Sequence, residues 1–147
     1  MHIAEINIAR MQAPLDSDTM KEFRDFIAPI NALAESSPGF VWRYVESYDE
    51  AGHSETPDFE DGMIIVNMSV WESVAQLKEF TYKTVHSYFV RKRLRWFESL
   101  GHPHLACWWV EPGHRPSIAE AKQRLEWLEE RGPTAEAFTL GQVVELI

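Results

Sequence analysis

A histidine, two asparagines and an arginine lie where the periodicity of this chain turns them toward an interior space. His86 shares a helical stripe with Val90, Arg93 and Phe97, so one helix face carries an imidazole, a guanidinium and apolar groups together. An imidazole titrates near neutrality and serves as general base, general acid or haem ligand. Asn7 and Asn67 fall on matching faces of two alternating segments, where an amide can donate to a developing oxyanion or orient dioxygen. The plain alternatives are a helix histidine bonded to a carbonyl and asparagines that satisfy buried backbone. Arg43 alternates with Trp42, so on a strand only one of them meets a given side. Arg43 there would clamp a carboxylate or phenolate in its fixed fork; Trp42 would be a stacking wall. Trp108 and Trp109 pose the same choice. With Trp71 and Trp96 they belong to a set of six tryptophans in 147 residues. That surplus points to an aromatic-walled pocket for a flat, hydrophobic small molecule, with Trp71, Asn67, Trp42, Arg93, Trp96 and Trp109 as candidate contacts.

Other residues suggest chemistry less strongly. His102-Pro103-His104 and His114 invite a metal, but no acidic partner stands at ligand spacing, so no metal site is expected. Cys107, the one cysteine, lies in the apolar run Leu105 to Val110 and reads as a core residue. GxGxxG, P-loop, GxSxG, CxxC and HExxH patterns are all missing, which removes the anchors for nucleotide, phosphoryl-transfer and common hydrolase readings. A net charge of -9 opposes nucleic acid or an anionic membrane as partner. Arg91-Lys92-Arg93 with Arg95 is too short to reverse that. No spanning stretch or leader is visible, and a cytoplasmic location is the default expectation.

The elements that must position these groups follow from patterning. The length fits a single domain, 1–147, with 117–147 as a helix and tail appended to it. His2 to Arg10 alternates as a strand, with Ala4, Ile6 and Ile8 on one face. Asp16-Ser17-Asp18 caps a helix with the stripe Met20, Phe23, Phe26/Ile27, Ile30 and Leu33, which Pro29 should kink or split. Phe40 to Ser47 is a second strand and Asp49 to Gly62 an exposed, acidic hairpin loop. Met63 to Val70 is a third strand, with Ile64, Val66, Met68 and Val70 toward the helices. Ser69 and Glu72 form a capping box, predicting a helix from about Val70 to Leu100. Leu105 to Val110 is a fourth strand. Ser117 and Glu120 open a last helix that Gly132-Pro133 closes.

The order β-α-β-β-α-β is the ferredoxin-like, α+β arrangement: an antiparallel sheet with helices on one face, plus an extra C-terminal helix. Its other face, with Asn7 and Asn67 among Ile3, Met63 and Ile65, is too apolar to stay bare. A homodimer with its two sheets facing each other is the expected cover.

The segments Asn7-Ile8-Ala9-Arg10, Ser37-Pro38-Gly39-Phe40-Val41-Trp42-Arg43, Asn67-Met68-Ser69-Val70-Trp71-Glu72-Ser73, His86 with Arg91 to Arg93 and Trp96-Phe97, Trp108-Trp109-Val110 and Gly113-His114-Arg115-Pro116 resemble the family called domain of unknown function 3291. The resemblance covers nearly the whole chain. That family is similar to the dimeric α+β barrel superfamily of antibiotic-biosynthesis and haem-degrading monooxygenases. What it implies is a small enzyme of the cofactor-independent monooxygenase type, acting on an aromatic or polyketide-like ligand. His86 would deprotonate an acidic phenol or enol, and Asn7 or Arg43 would stabilise the charge. Haem-degrading relatives use an asparagine, a tryptophan and a histidine that Asn7, Trp71 and His86 echo, so haem held by His86 is the alternative. A non-catalytic binding module is the third reading.

Overall fold

A computed structural model describes residues 1–85 and 95–146. Five strands form one antiparallel sheet: β1 (His2–Met11), β2 (Phe40–Arg43), β3 (Ile64–Trp71), β4 (Phe97–Glu98) and β5 (Leu105–Val110). β1 lies at the centre. β3 pairs along one edge with β2 outside it, while β5 and the short β4 share the other edge. The described helices are α1 (Lys21–Glu35), α2 (Val74–Phe80), which passes into a π-helical turn Thr81–Val85, and α3 (Ile118–Arg131).

Strand alternation divides the sheet into two faces, and each is covered. Ala4, Ile6 and Ile8 project to one side with Val66, Met68, Val70, Ala106 and Trp108. The stripe Ile118, Ala121, Leu125 and Leu128 of α3 closes this side. On the other side Ile3, Trp71 and Cys107 pack with Ala34 of α1 and Leu77 of α2, while Met11 and Phe97 pack with Phe23. The expectation of helices on one face only is therefore corrected. The loop after β5 returns the chain across the sheet, and the amphipathic last helix buries its stripe on the face that α1 and α2 do not use. A bare apolar face was the ground for expecting sheet-to-sheet dimers; that face carries α1 and α2, with Asn67 on it still exposed.

Local differences have identifiable causes. α1 runs through Pro29 without splitting, because residues on both sides of the proline, Phe23 and Ala34, are buried against the same sheet face. The second helix begins later than Ser69 and Glu72 suggest. Ser73 is its N-cap, and its hydroxyl accepts from the backbone N–H of Gln76. Both Ser69-x-x-Glu72 and Ser73-x-x-Gln76 fit a capping box. Trp71 pairs with Ile3, which keeps the strand extended past the first of them. Helix was expected up to Leu100, yet Phe97 and Glu98 pair with Met11 and Arg10 as β4. Ser117 caps α3 as its sequence signals, and Gly132 ends it at φ 70°. No helix among the described residues is long and apolar enough to cross a membrane.

Candidate functional site

A cavity of about 670 Å³ lies between the sheet and α1. Its floor is the polar middle of the face that α1 and α2 cover: Glu5 and Asn7 on β1, Asn67 and Ser69 on β3. Phe26, Ile27 and Ile30 of α1 form one wall. Phe40, Trp71 and Phe80 close one end, and Phe97 with Ile65 the other. Apolar and aromatic walls with polar groups among them, Arg43, Glu46 and Glu98 as well as the floor, suit a small-molecule site.

The aromatic end is rigid. The Trp71 ring stacks on Phe80 with centroids 5.1 Å apart and meets Phe40 edge-on at 5.5 Å. Its indole N–H donates to Ser69 Oγ at 2.9 Å, so the ring is held by a hydrogen bond as well as by packing. Trp71, Asn7 and Asn67 all line the cavity.

A β-bulge decides between Trp42 and Arg43. Phe40 opposes Trp71 and Trp42 opposes Val70, so β2 spends one extra residue there. Phe40 and Arg43 consequently share the cavity side. Trp42 turns to the opposite face and packs with the core beneath α3, which corrects its assignment as a ligand contact. Arg43 lines the cavity with its Nε 3.1 Å from Glu35 Oε1, so its fork is partly engaged within the protein.

Two more tryptophans leave the site. Trp96 is 1% exposed and packs with Phe23 and Phe97, outside the cavity lining. Trp109 shares the cavity's side of the sheet, but the C-terminal tail covers it. Its N–H donates to the Val144 carbonyl at 2.9 Å, and its ring lies 5.6 Å from Phe138. Trp108 faces α3 and donates to Glu120 Oε2 at 2.8 Å, while His114 Nε2 meets Glu120 Oε1 at 2.7 Å. His86 and Arg93 lie outside the described residues.

Glu5 is the feature that sequence reading missed. It is 6% exposed, between Ser69 and Cys107 on the neighbouring strands, and it lines the cavity. Asn7 Nδ2 donates to its Oε1 at 3.1 Å. Burial pushes the Glu5 carboxyl up from its ordinary range, and the Asn7 bond only partly opposes this. A carboxyl so placed can hold or take a proton closer to neutrality than an exposed one. The signal was present: Glu5 and Asn7 stand two apart on a strand, which puts a carboxyl and an amide on one face. Cys107 beside it is buried, and burial together with the Glu5 charge raises its thiol, so the nucleophilic thiolate is disfavoured.

Glu46 lines the same cavity in a different condition. It accepts from Tyr48 Oη at 2.8 Å, Ser54 Oγ at 2.9 Å, Thr56 Oγ1 at 3.2 Å and the Val66 N–H at 2.9 Å. Desolvation raises this carboxyl and the four bonds lower it, with burial the larger effect. The loop expected to be merely exposed is pinned by these contacts: Ser54 and Thr56 are buried under it.

The chain matches the family model described as domain of unknown function (DUF3291) over residues 2–146, and it belongs to that family. No curated protein and no solved structure matches it.

Proposed function

We propose that the protein is a small-molecule enzyme of the cofactor-independent monooxygenase type, acting on a flat, largely apolar ligand held between the sheet and α1. One observation carries this reading: a 670 Å³ cavity with an aromatic end and a short polar floor of Glu5, Asn7, Asn67 and Ser69. The strand order β2-β3-β1-β5 supports it too, since a ferredoxin-like arrangement has that pairing and the monooxygenase superfamily is built on it. In such a reaction a base removes the proton of an acidic phenol or enol. The resulting anion passes electrons to dioxygen and takes up oxygen. Among the described residues, Glu5 has the burial and the raised carboxyl that suit a base for that proton. Asn7, Asn67 and Arg43 line the same space and supply donors for the negative charge that develops.

The test is native mass spectrometry of the purified protein, followed by aerobic and anaerobic incubation of whatever co-purifies or of a polyphenol panel. The reading expects a bound flat ligand and oxygen-dependent consumption of it, lost in Glu5→Leu. A ligand that binds and returns unchanged favours the binding-module reading. A Soret band on haem titration favours the haem reading.

A further inference from the structure

The carboxyls around the cavity differ in what occupies them. Glu98 is held by Arg10 at 2.6 Å, and Arg10 is held in turn by Asp61 at 2.9 Å. Glu46 is filled by four donors. Glu5 has a single partner, the Asn7 amide on Oε1. Its Oε2 has no partner among the described residues. The one sealed side-chain polar atom without a partner there is His2 Nδ1. Glu5 Oε2 is therefore not sealed, and the cavity is the space that Glu5 lines.

Among the described residues, cations are few around it. Arg43 is the single Lys or Arg among the described lining residues, and Glu35 engages it. His104 stands at the cavity as an exposed residue. A ligand carboxylate placed over the sheet floor would meet the lone pairs of the Glu5 carboxylate at Oε2, where Arg43, already engaged by Glu35, is the one Lys or Arg among the described lining residues. A hydroxyl or ammonium group would fill them.

We propose that Glu5 selects the ligand: the cavity takes a flat molecule whose polar end donates a hydrogen bond and turns away one whose polar end is a carboxylate. The inference rests on the proposed small-molecule site and names the substrate class it accepts. Sites built around a buried polar group discriminate by leaving that group unpaired with the wrong ligand, which is worth about tenfold or more in affinity.

Three probes of one shape test it by isothermal titration calorimetry at neutral pH: naphthol, naphthylmethylamine and naphthoate. The expected ranking places naphthol and the amine at least about tenfold tighter than naphthoate. Glu5→Gln, nearly the same shape, supplies an amide donor and should close that gap to within about threefold. Naphthoate binding as tightly as the other two overturns the proposal, and so does a gap that Glu5→Gln leaves intact. If the variant does not fold, the wild-type ranking decides alone. Failure of all three probes to bind is a different result: it removes the cavity as a site for flat ligands, and this proposal with it.

Discussion

Replacing Glu46 separates the two things a buried carboxylate does, which are to desolvate a charge and to satisfy its neighbours. Its Oε2 receives Ser54 Oγ, Thr56 Oγ1 and the Val66 N–H, while Oε1 receives Tyr48 Oη. Ser54 and Thr56 are 7% and 5% exposed, so water does not readily replace the lost acceptor, though each hydroxyl can still bond the other at 3.0 Å. Glu46→Ala leaves the Val66 N–H and one hydroxyl proton orphaned, at about 1–3 kcal/mol each. Removing a poorly solvated charge returns part of that, so the net loss should be about 2–4 kcal/mol. At roughly 2–4 °C per kcal/mol for a chain of this size, Tm should fall by about 4–16 °C. Glu46→Gln keeps an oxygen on the crowded side and turns its amide toward Tyr48, whose hydroxyl can accept. It should stay within about 1 kcal/mol of the parent. Urea unfolding followed by tryptophan fluorescence measures both. Equal damage from the two variants, or an alanine variant as stable as the parent, would refute the reasoning.

The remaining expectations concern the core and the floor of the site. Burial raises the folded-state value of the Glu5 carboxyl, so its contribution to stability is present at low pH and is lost as pH rises from the unfolded carboxyl value through the folded one. Glu5→Gln should therefore gain stability relative to the parent as pH rises above about 4, seen as a growing difference in urea midpoints. An opposite trend would mean that the folded protein pairs the Glu5 carboxylate well enough to outweigh its burial. Trp108→Phe removes the donor to Glu120 and shrinks a side chain with no exposure, and about 1–3 kcal/mol should be lost. Cys107 should resist a thiol reagent in the folded protein and react on unfolding. Truncation after Gly132, which removes Phe138 and its bridge to Cys107, should raise its reactivity.

Much of the fold was legible because the strands alternate cleanly and Ser117, Glu120 and Gly132 punctuate the last helix without ambiguity. Placing that helix was harder. An apolar stripe states that it must be buried but not which sheet face buries it. The two serine capping boxes were equally good locally, and pairing of Trp71 with Ile3, sixty-eight residues away in sequence, chose between them. Within the site, alternation puts Asn7 and Asn67 on one sheet face, but that face was expected to point away from the helices, and Trp71 reads as lying beyond the strand, although it pairs with Ile3. Trp42 and Arg43 could not be assigned by alternation, because the bulge at Phe40–Trp42 shifts the phase. Alternation left the choice between Trp108 and Trp109 open, and it cannot see the tail whose Val144 carbonyl covers Trp109. Glu5 was overlooked for another reason: a strand glutamate usually marks a solvated face, and here it is buried between Ser69 and Cys107 on the neighbouring strands.

The central claim, a ligand cavity walled by Trp71 with Glu5 in its floor, is tested most directly by the indole N–H signals in a proton–nitrogen NMR spectrum. Six are expected from the sequence. On addition of naphthol, the Trp71 signal should move most, while Trp108, bonded to Glu120, and Trp109, bonded to the Val144 carbonyl, should stay in place. Movement centred on Trp108 or Trp109 with Trp71 unchanged would contradict the account.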